Sequence, residues 1–373
     1  MLDGATRSAS KHAVYTSPMG PPMLPTRALL WCAILVSLAF LGACSSSEGA
    51  VGTGPSSIDD AGGEVREAGE TIHDGGGADA RATVDARGDA PPAPGGSIRV
   101  VAYLPNYRGS YADWAKKIDF AKMTHMNLAF ATPNASNDWS MGAPDADVKA
   151  LVDAAHAAGV RVLASLGGGG GDQAVIARYR DIGNIGALVD KLDTFVAAHS
   201  FDGVDVDIED GANLGASYSA FVDAIVGKLG SRGKLVTAAV AQYLQVSMAD
   251  KTLHQFDFVN VMIYTNYADS VAALDYYSRT KAVPKSQLTL GAGFFGTDGS
   301  GTEYGYADIV AADSTAWSKD QAQVRGQTVS YTGMATMKKL AAYSKGFGGI
   351  MFWELSEDTS DSHSLYKVIQ SEM

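Results

Sequence analysis

The chain has 373 residues, 46% of them hydrophobic, which is enough to build a sizeable core in one large domain or two ordinary ones. A formal net charge of −12 and an isoelectric point near 5.0 argue against a nucleic acid partner, because the chain offers no basic surface that could displace counterions from phosphates. The two cysteines, Cys32 and Cys44, both lie near the amino terminus, so the rest of the chain can form neither a disulfide nor a thiolate metal site.

Residues 1–44 are predicted to be a targeting segment. Arg27 precedes an apolar run, residues 28–40, that is short for a membrane span and is followed by small residues, as in a secretory signal. The run leads into Leu41-Gly-Ala-Cys44, which resembles the lipobox of bacterial lipoproteins. The resemblance implies lipidation of Cys44 and export to the bacterial outer surface or outer membrane. Ordinary cleavage near Ala43, with secretion, is the alternative.

Residues 45–96 are dominated by Gly, Ala, Ser, Asp and Glu and contain no aromatic side chain. Such a segment cannot bury enough apolar surface to offset the entropy of ordering it, so it is predicted to be a disordered tether. Its ten acidic and three basic residues give a net charge of −7, and their repulsion should keep the tether extended. The expected role is to hold a folded domain, residues 97–373, away from a membrane.

Within residues 97–373, short β-rich runs alternate with longer helical segments, a pattern typical of βαβ units and a parallel sheet. Strands are predicted at 98–104, 125–131, 160–166, 203–209, 234–241, 258–264, 288–294 and 349–354. Helices are predicted at 145–158, 185–198, 216–229, 271–280 and 334–344. Eight strands in 277 residues predict an α/β fold of the (β/α)8 barrel type, and a doubly wound open sheet is the alternative.

The fourth predicted strand carries three acidic residues on one face. Asp205, Asp207 and Glu209 alternate with aliphatic residues, so the carboxylates share one side of the strand. Adjacent carboxylates in a confined site cannot all stay ionised cheaply, and at least one pKa should rise. A proton donor beside an anion is what glycoside hydrolysis requires. The alternative is an amphipathic edge strand with a solvated acidic face.

Further candidate residues follow from the barrel, whose chemistry sits at the carboxyl ends of its strands. Aromatic rings around carboxylates suit a sugar ring with apolar faces. The substrate-binding candidates on the other strands are Tyr103, Phe130, Ser165, Gly167, Gly168, Gln242, Met262 and Trp353. Phe130 and Met262 could instead be core residues, Tyr103 could be a core tyrosine, and Trp353 could fill the top of the barrel.

Two glycine-rich stretches imitate nucleotide sites. Residues 291–296 fit G-x-G-x-x-G, but a loop rather than a helix follows them, and residues 167–171 lack the Gly-Lys-Ser/Thr of a phosphate loop. The glycines at 167–171 suggest close backbone approach to a substrate, or clearance next to the acidic strand. The histidines of the predicted domain share no metal-ligand spacing. The sequence therefore indicates neither a cofactor nor a metal.

Two motifs, on consecutive predicted barrel strands, resemble those of family 18 glycoside hydrolases, the chitinases and endo-β-N-acetylglucosaminidases. Asp202-Gly-Val-Asp-Val-Asp-Ile-Glu209 is similar to the D-G-x-D-x-D-x-E signature of that family. Ser165-Leu-Gly-Gly168 resembles the S-x-G-G motif on the preceding strand. The resemblance extends in order through all eight predicted strands, over residues 97–373.

The resemblance implies a role for each catalytic candidate. Glu209 would protonate the glycosidic oxygen and later activate water, Asp207 would orient the substrate's 2-acetamido group, and Asp205 would adjust the charge and pose of Asp207. Tyr264 would hydrogen-bond the acetamido oxygen, and Trp353 would form the floor of the subsite for the reacting sugar. The substrate's own N-acetyl oxygen would be the nucleophile, giving retention and confining the enzyme to 2-acetamido sugars.

The sequence departs from the family pattern after strand six and after strand seven. Many members follow the strand-six tyrosine with Asp, or Asn in some branches, whereas here Thr265 and then Asn266 follow Tyr264. Chitinases with a deep cleft insert a substantial domain after strand seven, whereas here only the 35 residues 297–331 precede the next helix. This predicts a barrel without the full insertion, an open groove and endo-type cleavage. Tyr304, Tyr306 and Trp317 in this loop are candidates to line the groove or to pack elsewhere.

The implied function is hydrolysis of β-1,4 linkages next to N-acetylglucosamine, by a monomer, with chitin or chito-oligosaccharides as the expected substrate. N-glycan cores or peptidoglycan are alternative substrates. A non-catalytic, lectin-like carbohydrate-binding barrel is the alternative from another functional class. Lectin-like members typically lose the glutamate or an aspartate of the acidic strand, and this chain retains all of them.

Overall fold

The computed structural model describes residues 98–169, 172–210, 214–241 and 248–373. The predicted targeting segment with Cys44, the predicted tether and the substrate-binding candidate Gln242 lie outside the described residues. The boundary predicted between tether and domain therefore stays a prediction.

The strands of the described chain, in order, are β1 (Arg99–Pro105), β2 (His125–Pro133), β3 (Trp139–Ser140), β4 (Arg161–Gly167), β5 (Gly203–Asp207), β6 (Leu235–Ala241), β7 (Val259–Met262), β8 (Leu288–Gly293), β9 (Phe295–Asp298), β10 (Glu303–Gly305), β11 (Gln321–Val324), β12 (Gln327–Tyr331) and β13 (Gly349–Trp353). Eight of them pair in parallel as β1-β2-β4-β5-β6-β7-β8-β13 and back to β1. The ring is closed, which confirms the (β/α)8 barrel and excludes the doubly wound open sheet.

The helices in the same residues are α1 (Tyr111–Trp114), α2 (Asp145–Ala157), α3 (Gln173–Tyr179), α4 (Ile185–Ala198), α5 (Ala216–Lys228), α6 (Asp250–Leu253), α7 (Tyr267–Asp275), α8 (Tyr306–Ala312), α9 (Met334–Ser344) and α10 (Leu365–Glu372). Helix α7 starts four residues before the predicted helix, because Asn266 caps it by accepting the backbone N–H of Asp269. Among these helices, none has both the length and the apolar character required to cross a bilayer.

Alternation along the barrel strands separates two cores. On β5, Val204 and Val206 face outward into the large apolar core between barrel and helices, which Ile208 joins just beyond the strand. The intervening Asp205 and Asp207 face the barrel interior. A second, smaller apolar cluster fills that interior and consists of Val101, Tyr103, Ala129, Ala239, Phe258 and Met351. The acidic face of β5 is therefore buried inside the barrel, and the interpretation as a solvated edge strand is wrong.

The segment between β8 and α9 was predicted as a loop and instead forms a small antiparallel sheet, β10-β9-β12-β11, accompanied by α8. Its strands have three to five residues, too short for their alternation to stand out in the sequence. Tyr306 is fully buried and donates to the backbone oxygen of His363, so it packs in the core. Tyr304 donates to Asp298, and Trp317 stacks on His363. The full insertion domain is not found in this segment.

Candidate active site

The acidic segment of β5 places its carboxyl groups at increasing distance from the barrel centre. Asp205 is completely buried, Asp207 is the last residue of the strand, and Glu209 lies two residues beyond it. Glu209 is partly exposed, at the carboxyl end of the barrel strands. The three carboxyl groups thus run from the interior to the mouth, where barrels of this type carry their chemistry.

Asp205 lies at the centre of a hydrogen-bond network supplied by four different strands. Its Oδ2 accepts from Tyr103 Oη at 2.6 Å and Ser165 Oγ at 2.9 Å. Its Oδ1 accepts from Thr237 Oγ1 at 2.6 Å and Asn260 Nδ2 at 3.2 Å. Burial raises the pKa of Asp205, and these hydrogen bonds oppose the rise by favouring the anion. The donors therefore make a buried carboxylate tolerable at this position.

Three residues of this network were not among the predicted site residues. Thr237 contacts Asp205 directly, and Asn260 bonds both Asp205 and Tyr103 Oη. Thr289 Oγ1 donates to Asn260 Oδ1 at 2.7 Å and fixes the orientation of that amide. Their signal in the sequence is a polar side chain inside an otherwise apolar barrel strand.

Asp207 is also buried, but among the described residues it lacks a set of hydrogen-bond donors like the one around Asp205. It is 3% exposed, and its Oδ1 accepts no hydrogen bond from any described residue. Burial raises the pKa of Asp207 well above its usual range, and the charges of Glu209, Asp205 and Asp172 raise it further. Asp207 therefore holds a proton more readily than an ordinary aspartate, and one of its oxygens can accept a donor from a ligand.

The loop after β4 packs tightly against the end of β5. Gly168 N–H donates to Asp207 O at 2.8 Å, and Glu209 N–H donates to Asp172 Oδ2 at 3.0 Å. A Cβ on Gly167 would lie 2.8 Å from Asp207 O, and one on Gly168 would lie 2.3 Å from the Phe130 ring. Both glycines also have positive φ, +99° and +75°. Gly167 thus provides clearance next to the acidic strand and Gly168 provides clearance for Phe130, while an approach of this loop to a substrate stays a prediction.

Aromatic side chains form one wall of the site. Trp353, at the end of β13, is partly exposed and stacks on Phe130, with ring centroids 5.6 Å apart. Tyr103 packs against Trp353 from inside the barrel at 5.6 Å. Tyr264 follows β7, is partly buried and packs edge-on against Phe295. Together these residues offer an apolar ring surface next to the acidic segment, as a sugar-binding site requires.

A charged rim lies next to this wall. Arg108, in the loop after β1, donates to Glu357 at 2.5 Å, and its Nε lies 3.4 Å from Glu354, the residue after Trp353. Burial, together with the charge of Glu354 and against the opposing charge of Arg108, raises the pKa of Glu357 to about 7. Tyr107, beside Arg108, is 62% exposed. The rim joins the loops that follow β1 and β13.

The residues after Tyr264 supply no carboxylate to the site. Thr265 and Asn266 are exposed, and both donate hydrogen bonds to the side chain of Asp269 in the first turn of α7. Thr265, directly after Tyr264, thus bonds the side chain of Asp269, and Asn266 caps α7.

The structure brings most predicted residues together, in two layers. Phe130, Tyr264, Trp353 and the partly buried Met262 lie at the mouth with Glu209. Tyr103 and Ser165 were predicted to contact substrate, and the structure places them one layer deeper, where both donate to Asp205. The arrangement combines a supported interior anion, a buried acid with an available oxygen, and a carboxyl group at the mouth. Such a set can deliver a proton to a leaving group beside a developing positive charge.

Comparisons with known proteins agree with this geometry. The model of the family described as glycosyl hydrolases family 18 matches residues 99–358, which include every barrel strand. A chitinase-like effector of Moniliophthora perniciosa is 29% identical over 122 residues. That alignment covers 30% of this chain and only 28% of the length of that protein.

Solved structures show the same fold. The family 18 chitinase ChiB from the chitin utilization locus of Flavobacterium johnsoniae is 27% identical and superposes with a TM-score of 0.66, over 74% of this chain and 94% of that one. A chitinase of Bacteroides thetaiotaomicron is 22% identical, with a TM-score of 0.63, over 74% of this chain and 96% of that one. The second likeness bears on the fold alone.

The Asp207→Asn variant should be more stable than the unchanged protein at pH 8, with a melting temperature a few degrees higher. An aspartate whose pKa is raised by folding contributes stability that is complete below its unfolded pKa and is lost as the pH rises through its folded pKa. Asparagine does not ionise, so the difference should be largest at pH 8 and should close towards pH 4. Thermal denaturation across this range measures it. Asp153→Asn, on the exposed face of α2, is the control and should show no such trend. A difference between Asp207→Asn and the unchanged protein that stays constant from pH 4 to pH 8 would contradict the assignment.

Proposed function

The chain belongs to family 18 of the glycosyl hydrolases, and on that basis we propose that it hydrolyses β-1,4 linkages next to N-acetylglucosamine. The observation that carries the proposal is the complete acidic segment. Asp205 has four hydrogen-bond donors, Asp207 retains an oxygen available for a ligand, and Glu209 lies at the mouth beside an aromatic wall.

In this proposal Glu209 is the general acid and then the general base. It lies beyond the end of β5 and is partly exposed, so a glycosidic oxygen can reach it. The adjacent buried carboxyl groups favour retention of a proton within the cluster near neutral pH. A proton available at the mouth of the site is what the leaving group requires.

Asp207 is proposed to act on the acetamido group of the substrate. Its Oδ1 has no partner in the described chain, and an acetamido N–H would provide one. As that nitrogen gives up electron density during attack by the N-acetyl oxygen, the Asp207 carboxylate stabilises the positive charge that forms. Asp205 acts through Asp207 as a positioning residue, and Tyr264 would donate to the acetamido oxygen. The reaction retains the anomeric configuration without an enzyme nucleophile.

Chitin is the substrate we propose, with cleavage inside the chain. The small sheet formed by β9 to β12 leaves less material beside the site than a full insertion domain would, which favours an open groove. N-glycan cores and peptidoglycan contain the same sugar, and they are distinguished by the products released from each polymer. A lectin-like role is disfavoured, because the chain keeps the whole acidic set that such proteins typically lack.

The Glu209→Gln variant of the full chain should release reducing ends from colloidal chitin about 100- to 10,000-fold more slowly than the unchanged protein, since it lacks the proton donor. Binding to chitin should persist, because glutamine keeps the shape of the side chain. Glu372→Gln, in α10, is the matched control and should retain full activity. If the unchanged protein and both variants bind chitin equally well and none releases reducing ends, the enzyme assignment is wrong and the lectin-like role is correct.

The proposed mechanism also makes a prediction about substrates. Oligomers of N-acetylglucosamine should be cleaved, whereas fully deacetylated oligomers of the same length should give no detectable product, because they lack the nucleophilic oxygen. Mass spectrometry of the products from both series measures this directly. Cello-oligosaccharides of equal length serve as a second negative control. Comparable cleavage of the deacetylated series would rule out participation by the acetamido group.

We also propose that Cys44 carries a lipid that anchors the exported protein to the bacterial surface. The support is the apolar run followed by Leu41-Gly-Ala-Cys44. In a bacterium that processes lipoproteins, the full chain should incorporate radiolabelled palmitate and sediment with membranes. The Cys44→Ser variant should lose both properties, and the control Cys32→Ser should keep them. Labelling that persists in Cys44→Ser would refute lipidation at this position.

A further inference from the structure

Glu209 lies where the barrel no longer provides strand pairing. The described pairing between β5 and β6 ends at Val206, and that between β4 and β5 ends at Asp207. Beyond that point, the backbone N–H of Glu209 donates to Asp172 Oδ2 at 3.0 Å. Asp172 is 1% exposed, so water does not compete for this bond. A buried carboxylate from the neighbouring segment thus takes the place of the missing strand partner.

Asp172 is also placed where a capping residue would be expected. It immediately precedes α3, yet its side chain makes no capping hydrogen bond to that helix. Its backbone N–H instead donates to Gly168 O at 2.8 Å, and Gly168 N–H donates to Asp207 O. The segment after β4 therefore contacts the acidic segment on both sides of Ile208.

The far end of α3 holds the next residue of the same segment. Tyr179 Oη donates to Asp210 Oδ2 at 2.7 Å, and Arg180 Nη2 lies within 2.7 Å of both Asp210 oxygens. Glu209 and Asp210 are thus fixed from the two ends of one short helix. The bonds from Arg180 to Asp210 are sufficient to hold the loop in place. The bond to Asp172 acts on Glu209 itself, the residue with the proposed catalytic role.

Asp172 belongs to a cluster of carboxyl groups with Asp205, Asp207 and Glu209. Burial raises the pKa of Asp172, and the hydrogen bond from Glu209 N–H opposes the rise. The carboxyl groups whose charges act on Asp207 are Glu209, Asp205 and Asp172, and the charge of Asp210 acts on Asp172. Among the described residues, the phenols of Tyr103, Tyr179, Tyr218 and Tyr264 and the guanidinium of Arg180, which pairs with Asp210, also lie near these carboxyl groups. A negative charge on Asp172 therefore favours protonation of the cluster.

We propose that Asp172 is a positioning residue for the reaction: its buried carboxylate accepts the backbone N–H of Glu209 and fixes that residue at the mouth of the barrel. The inference rests on the proposed function, in which Glu209 is the general acid. It assigns two separable effects to one buried side chain, a hydrogen bond and a charge.

Two variants separate these effects. Asp172→Asn keeps an oxygen that can accept from Glu209 N–H and removes the charge, whereas Asp172→Ala removes both. Asp172→Asn should keep kcat at pH 6 within about twofold of the unchanged protein, while the ratio of kcat/KM at pH 8 to that at pH 6 falls about threefold or more, because without the charge of Asp172 the acidic cluster around Asp207 loses its proton at lower pH. Asp172→Ala should lower kcat about tenfold or more at both pH values with little change in KM, because the acid is displaced.

Asp257 offers a matched control. Its Oδ2 accepts the backbone N–H of Val236 at 2.7 Å, the same kind of bond at the opposite end of the barrel. Asp257→Asn and Asp257→Ala should leave both the pH profile and kcat unchanged. The inference is overturned if the profile of Asp172→Asn superposes on that of the unchanged protein, or if Asp172→Ala loses no more activity than Asp257→Ala.

A measurement without turnover keeps this inference distinguishable from the proposed function. Hydrogen exchange of the Glu209 amide in the full chain should accelerate about tenfold or more in Asp172→Ala and stay slow in Asp172→Asn. An unchanged protein that does not cleave chitin would refute the proposed function, and the amide exchange would still decide whether Asp172 holds Glu209. Equal exchange at Glu209 in all three proteins would overturn the positioning role.

Discussion

The structure depends on burying a carboxylate at the centre of the barrel. Removing Asp205 from water costs several kcal/mol unless donors replace the lost hydration. Four donors do so, and they come from β1, β4, β6 and β7, which are distant in the chain. Only a closed ring of strands can direct side chains from all four towards one point. The buried Asp205 carboxylate is therefore tolerated only because the barrel is closed.

Along β5 the surroundings of the carboxyl group change from Asp205 to Asp207 to Glu209. Asp205 is fully compensated, Asp207 has an oxygen without a partner in the described chain, and Glu209 lies beyond the strand at the mouth. Desolvation and the like charges of its neighbours raise the pKa of Asp207, which favours a proton on the buried part of the acidic segment. A single strand thus positions three chemically identical groups in three environments, which is sufficient to give them separate roles.

The sequence predicted the features that depend on local periodicity. The eight barrel strands, the shared face of Asp205 and Asp207, and the mouth position of Glu209 and Trp353 follow from alternation and from the strand ends. Tyr103 and Ser165 were predicted on their strands, but their bonds to Asp205 were not, because a sequence cannot show that a hydroxyl is bonded across the barrel. Thr237 and Asn260 were missed for the same reason. The sheet formed by β9 to β12 was taken for a loop, since strands of three to five residues carry too little pattern to be recognised.

In the proposed function Glu209 transfers a proton, which requires a fixed position, yet the pairing of β5 with its neighbouring strands ends at Asp207. Beyond the end of β5, the segment that follows β4 holds the backbone in place of a paired strand. Gly167 and Gly168 allow the segment after β4 to approach the backbone of Asp207, and this approach brings Asp172 to Glu209 N–H. The glycines predicted to provide room for the acidic strand therefore have a second consequence. They place the buried carboxylate of Asp172 against the backbone N–H of Glu209, the residue proposed as the general acid.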